Sequence, residues 1–233
     1  MRSTQHYQHL LTSVSQNKKL LAILIDPEKF DVSQAASFLD TIPKDTTHLF
    51  VGGSTVPEAL TEKVVGKLKQ YSSLPIFIFP GAADQISDTA DALLFLSLVS
   101  GDNPNYLIGQ QVAAASYLKV LPLEVIATGY LLIDGGNKSA VARVTNTLPM
   151  PQKNVDAIVN TALAAQFMGA KLVYLEAGSG AKIPVAIHII KEVSKTLDIP
   201  VIVGGGIRTD VQKEAAYAAG ASMVVMGTVF EKH

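Results

Sequence analysis

The sequence has no cysteine and no tryptophan. Without thiols it can hold no disulfide framework, no thiol nucleophile and no cysteine-ligated zinc, and it suits a reducing cytoplasm, where we expect it to work. Charged residues are scarce, at 17% of 233, and almost balanced: 19 Lys and Arg against 20 Asp and Glu leave a formal charge of −1. That balance argues against a general nucleic-acid coat or a strongly anion-seeking membrane surface, and leaves one local anion site open. Long apolar runs are missing too. Leu20–Ile25 and Ala92–Val99, the latter broken by Ser97, fall well short of the roughly 20 residues of a membrane span. Arg2 is followed by a polar stretch, unlike a secretory signal. What the chain does have is 48% hydrophobic residues, enough for a sizeable core and incompatible with intrinsic disorder.

Those hydrophobic residues fall into short runs at Leu21–Ile25, Leu49–Val51, Ile76–Phe79, Ala92–Leu96, Glu124–Ala127, Leu172–Leu175, Val201–Val203 and Met223–Met226. They lack apolar/polar alternation, which is how strands buried on both faces of a parallel sheet read. Eight such runs alternating with helical segments predict an α/β protein, a closed (β/α)8 TIM barrel in a single domain over 1–233. Helix ends support it. Asn103-Pro104 predicts a helix start with a run to about Leu118; Asn154 predicts a cap, with Gly169 as the stop; Thr209 with Gln212 predicts a capping box; Lys191, Lys195 and Leu197 close a further helix. Asp134–Asn154 is too long for a compact connection. It reads equally as a lid or as a solvated excursion.

In a barrel, chemistry belongs where strands end. Glycine-rich segments stand there after three consecutive strands: Ala177-Gly178-Ser179-Gly180, Gly204-Gly205-Gly206 and Gly227-Thr228. A phosphate monoester needs several backbone N–H donors converging on one point, and glycines let the backbone approach. Asp26 and Ser54 end adjacent strands about 4.8 Å apart, and a carboxylate with a hydroxyl suits Mg²⁺, which completes its shell with waters and phosphate oxygens. The alternative is that Asp26 only caps its loop. Lys29 reads either as a contact to a second phosphate or as a solvated lysine. Glu176 follows an apolar run and so points into the mouth, where a carboxylate can accept a hydroxyl proton or pair structurally. Tyr174 is either a core aromatic or a phosphate donor. The histidines, His6, His9, His48, His188 and His233, lack metal-ligand spacing and read as structural or solvent-facing.

With these residues in view, the chain resembles the geranylgeranylglyceryl phosphate synthase family, which includes bacterial heptaprenylglyceryl phosphate synthases. The matching stretches are Ile25-Asp26-Pro27-Glu28-Lys29, Val51-Gly52-Gly53-Ser54, Tyr174–Gly180, Val203–Arg208 and Gly227–Lys232. The resemblance implies a modified barrel and a Mg²⁺-dependent prenyltransferase joining sn-glycerol 1-phosphate to a polyprenyl diphosphate, with geranylgeranyl diphosphate expected over heptaprenyl. It implies Asp26 and Ser54 as metal ligands, and Glu176 as the group that orients and deprotonates the glycerol hydroxyl. Tyr174, Leu175, Glu176, Ala177, Gly178, Ser179, Gly180, Gly205, Gly206, Gly227 and Thr228 would hold glycerol phosphate. Many relatives have Asn where this chain has Thr228, which leaves the backbone amide in place. A homo-oligomer and peripheral membrane contact without a span are further implications. Phe77, Phe79, Phe95, Tyr106 and Leu107 are expected walls of a prenyl groove. Two other readings stay open on the sequence: another phosphate-binding barrel enzyme, such as a sugar-phosphate isomerase or aldolase, and a non-catalytic phosphate-ligand sensor.

Overall fold

Leu20–Ile25 and seven further runs of Val, Ile, Leu and Phe are hidden on both sides, and they pair in sequence order into a closed, all-parallel barrel. The computed structural model describes residues 4–57 and 59–231. A helix α1 (Gln5–Ser15) precedes β1 (Leu20–Ile25). Then come α2 (Ala35–Thr41), β2 (His48–Val51), α3 (Leu60–Lys69), β3 (Ile76–Ile78), β4 (Ala92–Leu98), α4 (Gln110–Val120) and β5 (Glu124–Leu132). The chain finishes with α5 (Ala140–Thr145), α6 (Val155–Phe167), β6 (Leu172–Glu176), α7 (Ile187–Thr196), β7 (Val201–Gly204), α8 (Asp210–Ala218) and β8 (Met223–Met226). Closure is made by Leu20 pairing with Met223 through Ile23 pairing with Met226.

Strand residues alternate between two cores, as the period of two requires. Leu20, Ala22, Phe50, Phe77, Leu94, Leu172, Tyr174 and Ile202 fill the barrel interior. Leu21, Ile23, Ile25, Val51, Val173, Leu175 and Val203 pack outward against the helices. The floor is plugged by α1, whose Leu10 joins the interior cluster. Its orphan N–H groups are met from across the chain. The Glu124 carboxylate accepts from the backbone of His6 at 2.8 Å and of Tyr7 at 2.9 Å. His48 is also buried at the floor, edge-on to Phe77, and burial lowers its pKa to about 4, so it stays neutral. His233 lies outside the described residues, as does Lys232 of the last matching stretch.

Each expected strand is present, and the barrel fold is as read from the sequence. Several boundaries differ. β5 runs on past the expected Ala127 to Leu132, through Gly129, where a side chain would collide with Ala165 of α6. The helix expected from Pro104 opens instead with a π-helical turn, Asn105–Gly109. Thr209 and Gln212 do form the capping box, but the Asn154 side chain makes no cap bond and only its carbonyl takes up Ile158 N–H. Asp134–Asn154 is no excursion: it contains α5, started by Ser139 accepting from Ala142 N at 3.1 Å, and Met150 bridges back to Ile133.

The barrel departs from regularity between β3 and β4, where no helix joins the two strands among the described residues. Residues 79–91 run as turns, opening on Pro80-Gly81 and pinned by Gln85, whose side chain accepts from Gly81 N at 2.8 Å. The inner surface of α4 is therefore uncovered on that side. No described helix is long and apolar enough to cross a membrane.

Removing the Glu124 carboxylate leaves two partly buried helix-end donors without an acceptor. Glu124→Ala is expected to lower unfolding free energy by about 1–2 kcal/mol, read as a lower denaturant midpoint with an unchanged slope.

Candidate active site

The C-terminal ends of the strands surround a cavity of about 520 Å³. Its polar half is built from the glycine segments. Gly178, Gly180, Gly205 and Gly206 all have positive φ, between 71° and 99°. At Gly205 a Cβ would also strike the Glu176 carboxylate and the amides of Ala177 and Gly178, so only glycine closes the loops around this carboxylate. Among the described residues the backbone N–H groups of Ser179, Gly206 and Thr228 donate to no protein acceptor. Thr228 opens the short 3-10 turn Thr228–Phe230 after β8, the place where barrels of this kind often hold phosphate.

Glu176 ends β6 on the interior face and is buried. Its Oε1 accepts from Gly178 N at 2.5 Å. Burial raises its pKa to about 7, against the opposing pull of that amide and of the neighbouring Tyr174 hydroxyl. Tyr174 is stacked on Phe79 at 5.0 Å and tilted against Tyr130 at 5.6 Å. Its hydroxyl lies close enough to Glu176 to favour the ionised carboxylate, yet it is outside hydrogen-bond geometry and has no partner among the described residues. A buried hydroxyl without a partner on a cavity wall is a donor waiting for a ligand. Both readings of Tyr174 hold at once: the ring is barrel core and the hydroxyl faces the cavity.

Asp26, Ser54, Tyr174, Glu176, Ser179, Gly205, Gly206, Gly227 and Thr228 all line this one cavity. Leu175 and Ala177 do not: they alternate with Tyr174 and Glu176 along the chain, and their side chains face the helix layer. Gly178 and Gly180 flank the wall without forming it, and Gly178 is closed over by Ser139. The wall also includes Glu28, Thr55, Arg208 and Glu231, to which the sequence reading gave no role, and, from α5, Val141, Arg143 and Val144, which it did not place here. The Ser139 cap was the one local signal that the long segment carried a helix over the mouth.

At the opposite rim, Asp26 Oδ1 accepts from Glu28 N at 3.1 Å, and a Cβ on Gly53 would fall 2.9 Å from that oxygen. The β2 loop carrying Ser54 is thus laid directly on the Asp26 carboxylate. No group of three His, Cys, Asp or Glu among the described residues could form a protein-only metal cage. The donors that are present, one carboxylate and one hydroxyl facing an open cavity, fit a hard cation that takes its remaining ligands from water and substrate oxygens, the habit of Mg²⁺.

The other half of the cavity is apolar. Phe79, Leu93, Phe95, Leu98, Tyr106, Ala114 and Leu118 line it in the gap left by the absent helix. Of the expected groove walls, Phe79, Phe95 and Tyr106 are there. Phe77 sits below in the barrel core and Leu107 is off the wall.

The sequence profile of the PcrB family matches residues 13–233. The chain belongs to the PcrB family. A geranylgeranylglyceryl phosphate synthase from Zunongwangia profunda is 54% identical over 215 residues, covering 92% of each chain. Its counterpart from Flavobacterium johnsoniae is 50% identical and covers 98% of this chain and 94% of its own. Among solved structures, (S)-3-O-geranylgeranylglyceryl phosphate synthase from Thermoplasma acidophilum, in complex with its substrate sn-glycerol-1-phosphate, superposes with a TM-score of 0.89 at 34% identity. That superposition covers 100% of this chain and 93% of the other. The family resemblance seen in the sequence motifs thus extends over residues 13–233.

The raised pKa of Glu176 has a consequence for stability. The folded state holds its proton more tightly than the unfolded chain, so the contribution is complete below about pH 4.5 and is lost as pH rises through about 7. Glu176→Gln is expected to gain stability over wild type by up to about 3 kcal/mol at pH 8, and little at pH 5, in paired denaturant titrations. An equal gain at both pH values would contradict the burial effect.

Proposed function

We propose that this protein is a prenylglyceryl phosphate synthase, which joins the 3-hydroxyl of sn-glycerol 1-phosphate to the allylic carbon of a polyprenyl diphosphate, with geranylgeranyl diphosphate preferred. The observation that carries the reading is the two-sided cavity. Glu176, titrating near neutrality beside amide-rich glycine loops, shares one space with an apolar lobe that opens between β4 and α4. A sugar-phosphate isomerase has no use for that lobe, and a sensor has no use for a carboxylate poised at neutral pH. The names of the bacterial relatives support the geranylgeranyl preference.

In this mechanism the loops at Ser179, Gly205-Gly206 and Gly227-Thr228 bind the glycerol phosphate group, and the Tyr174 hydroxyl donates to it. Leu175, Ala177, Gly178 and Gly180 act through the backbone that shapes those loops. Glu176 orients the attacking hydroxyl and takes its proton as the new C–O bond forms and the allylic C–O bond breaks. A carboxylate with a pKa of about 7 is well matched to that role at neutral pH. Asp26 and Ser54 would hold Mg²⁺, which when bound supplies positive charge to the departing diphosphate. The apolar lobe takes the prenyl chain, and bringing both substrates to one mouth removes much of the entropic cost of reaction. Cytoplasmic action belongs to the same reading, since both substrates are phosphorylated.

A second copy of this chain is the expected partner. Val112 and Val120 on α4 are 67% and 77% exposed, with Ile108 beside them, and Phe167 and Met168 stand out at the end of α6. α4 has a single charged residue, Lys119, and a cluster of large exposed apolar side chains marks a surface that a partner ordinarily covers. Light scattering should give a multiple of 24.7 kDa, falling to one chain in the Val112→Glu, Val120→Glu variant.

The activity is tested by radiolabelled transfer from a series of prenyl diphosphates to sn-glycerol 1-phosphate. We expect an organic-extractable product, largest with the C20 chain and abolished by EDTA. Asp26→Ala and Glu176→Gln should each reduce it at least about 100-fold, in line with the usual range for a general base. No product with any chain length would refute the synthase reading.

A further inference from the structure

The carboxylate that would bind the metal already has a cation beside it. Lys29 Nζ lies 3.4 Å from Asp26 Oδ2 and 2.9 Å from Glu231 Oε2. Glu231 comes from the far end of the chain, just past the turn after β8, and it is well covered although Lys29 is half exposed. The remaining carboxylate of this rim, Glu28, is taken up by the Thr55 hydroxyl at 2.8 Å. Asp26, Glu28, Lys29, Thr55 and Glu231 all face the cavity. Arg208, also on its wall, is spent on the carbonyls of Ala181 and Gly206.

A divalent cation arriving alone at Asp26 therefore meets an ammonium within a few ångströms of its ligand, and at such distances like charges repel appreciably even in a partly wet site. A diphosphate arriving with the cation changes the balance, because its oxygens give the ammonium somewhere else to go. The lysine stem is long and flexible enough to turn without moving the backbone. Glu231 sets where the ammonium rests meanwhile, partly off Asp26.

We propose that Lys29 is an internal counter-cation which occupies the Asp26 carboxylate in the free enzyme and passes to the diphosphate when metal and diphosphate bind together, with Glu231 as the positioning residue that holds it in reserve. This rests on the assignment of Asp26 to the metal. The device couples the two ligands: each raises the affinity for the other, and by linkage the factor is the same in both directions. It also keeps the site from filling with metal before the lipid substrate arrives.

The test is Mn²⁺ binding to the full chain, followed by the loss of the free-ion EPR signal, with and without a non-transferable thio analogue of geranylgeranyl diphosphate. In wild type the analogue should tighten Mn²⁺ binding at least tenfold. Lys29→Met should bind Mn²⁺ alone about fivefold to tenfold more tightly than wild type, with the coupling to the analogue reduced by a similar factor. Lys29→Arg, which keeps the charge, should behave as wild type. Glu231→Gln should weaken binding of Mn²⁺ alone, and more so with Lys29 present than in the Lys29→Met background. Unchanged or weaker binding of Mn²⁺ alone by Lys29→Met would overturn the counter-cation role while leaving the metal assignment standing. Failure of every variant to bind Mn²⁺ even with the analogue would overturn the metal assignment itself, and this proposal with it.

Discussion

The hydrogen bonds between β1 and β8 close the sheet, and a closed parallel sheet has all its strand C-termini on one rim. Segments that are far apart in the chain are thereby forced into one ring. Asp26 after β1, Ser54 after β2, Glu176 at the end of β6 and the glycines after β7 and β8 become neighbours without any local signal telling them to. The interior beneath them is solid. Phe50, Phe77, Phe79, Tyr130 and Tyr174 are stacked or tilted against one another at 5.0–6.4 Å, so the mouth stands on a packed base and not over a channel.

The same rim divides its labour by charge and by polarity. On one side, glycine loops crowd the Glu176 carboxylate so closely that burial competes with a donated amide, leaving it able to change protonation near neutral pH. On the other, Asp26, Lys29 and Glu231 form a partly hydrated network where opposite charges are already matched. A desolvated carboxylate suits proton transfer, whereas a hydrated one suits a hard cation that keeps its waters. Both line one cavity, so in the proposed function each would act on substrates brought together there.

Regular barrels surround their strands with helices, and here the circle is interrupted between β3 and β4. Pro80-Gly81 starts a run of turns there, and the surface that a helix would have covered becomes the apolar lobe against α4. What would be a packing defect in an ordinary barrel is, in the proposed function, the place for the prenyl chain. α5 folds over the mouth from the other side, placing Val141 and Val144 on its wall.

The strands were legible in the sequence because burial on both faces writes itself as unbroken Val, Ile, Leu and Phe. The glycine segments were legible because only glycine takes positive φ cheaply. The fifth run was legible only as far as Ala127; Gly129 lies inside the strand, where α6 packs against it at Ala165. The side chains of Leu175 and Ala177 turn outward, as the period of two from Glu176 requires, so only their backbone can belong to the site. By itself, then, the amino-acid order determined which segments are strands, which loops are glycine-lined and which residue types stand at strand ends, because these depend on local sterics and periodicity. Only the tertiary structure decided the proton affinity of Glu176, the orphan hydroxyl of Tyr174 and the pairing of Lys29 with a carboxylate 202 residues away. Desolvation and charge pairing depend on distances between residues that the chain itself keeps far apart.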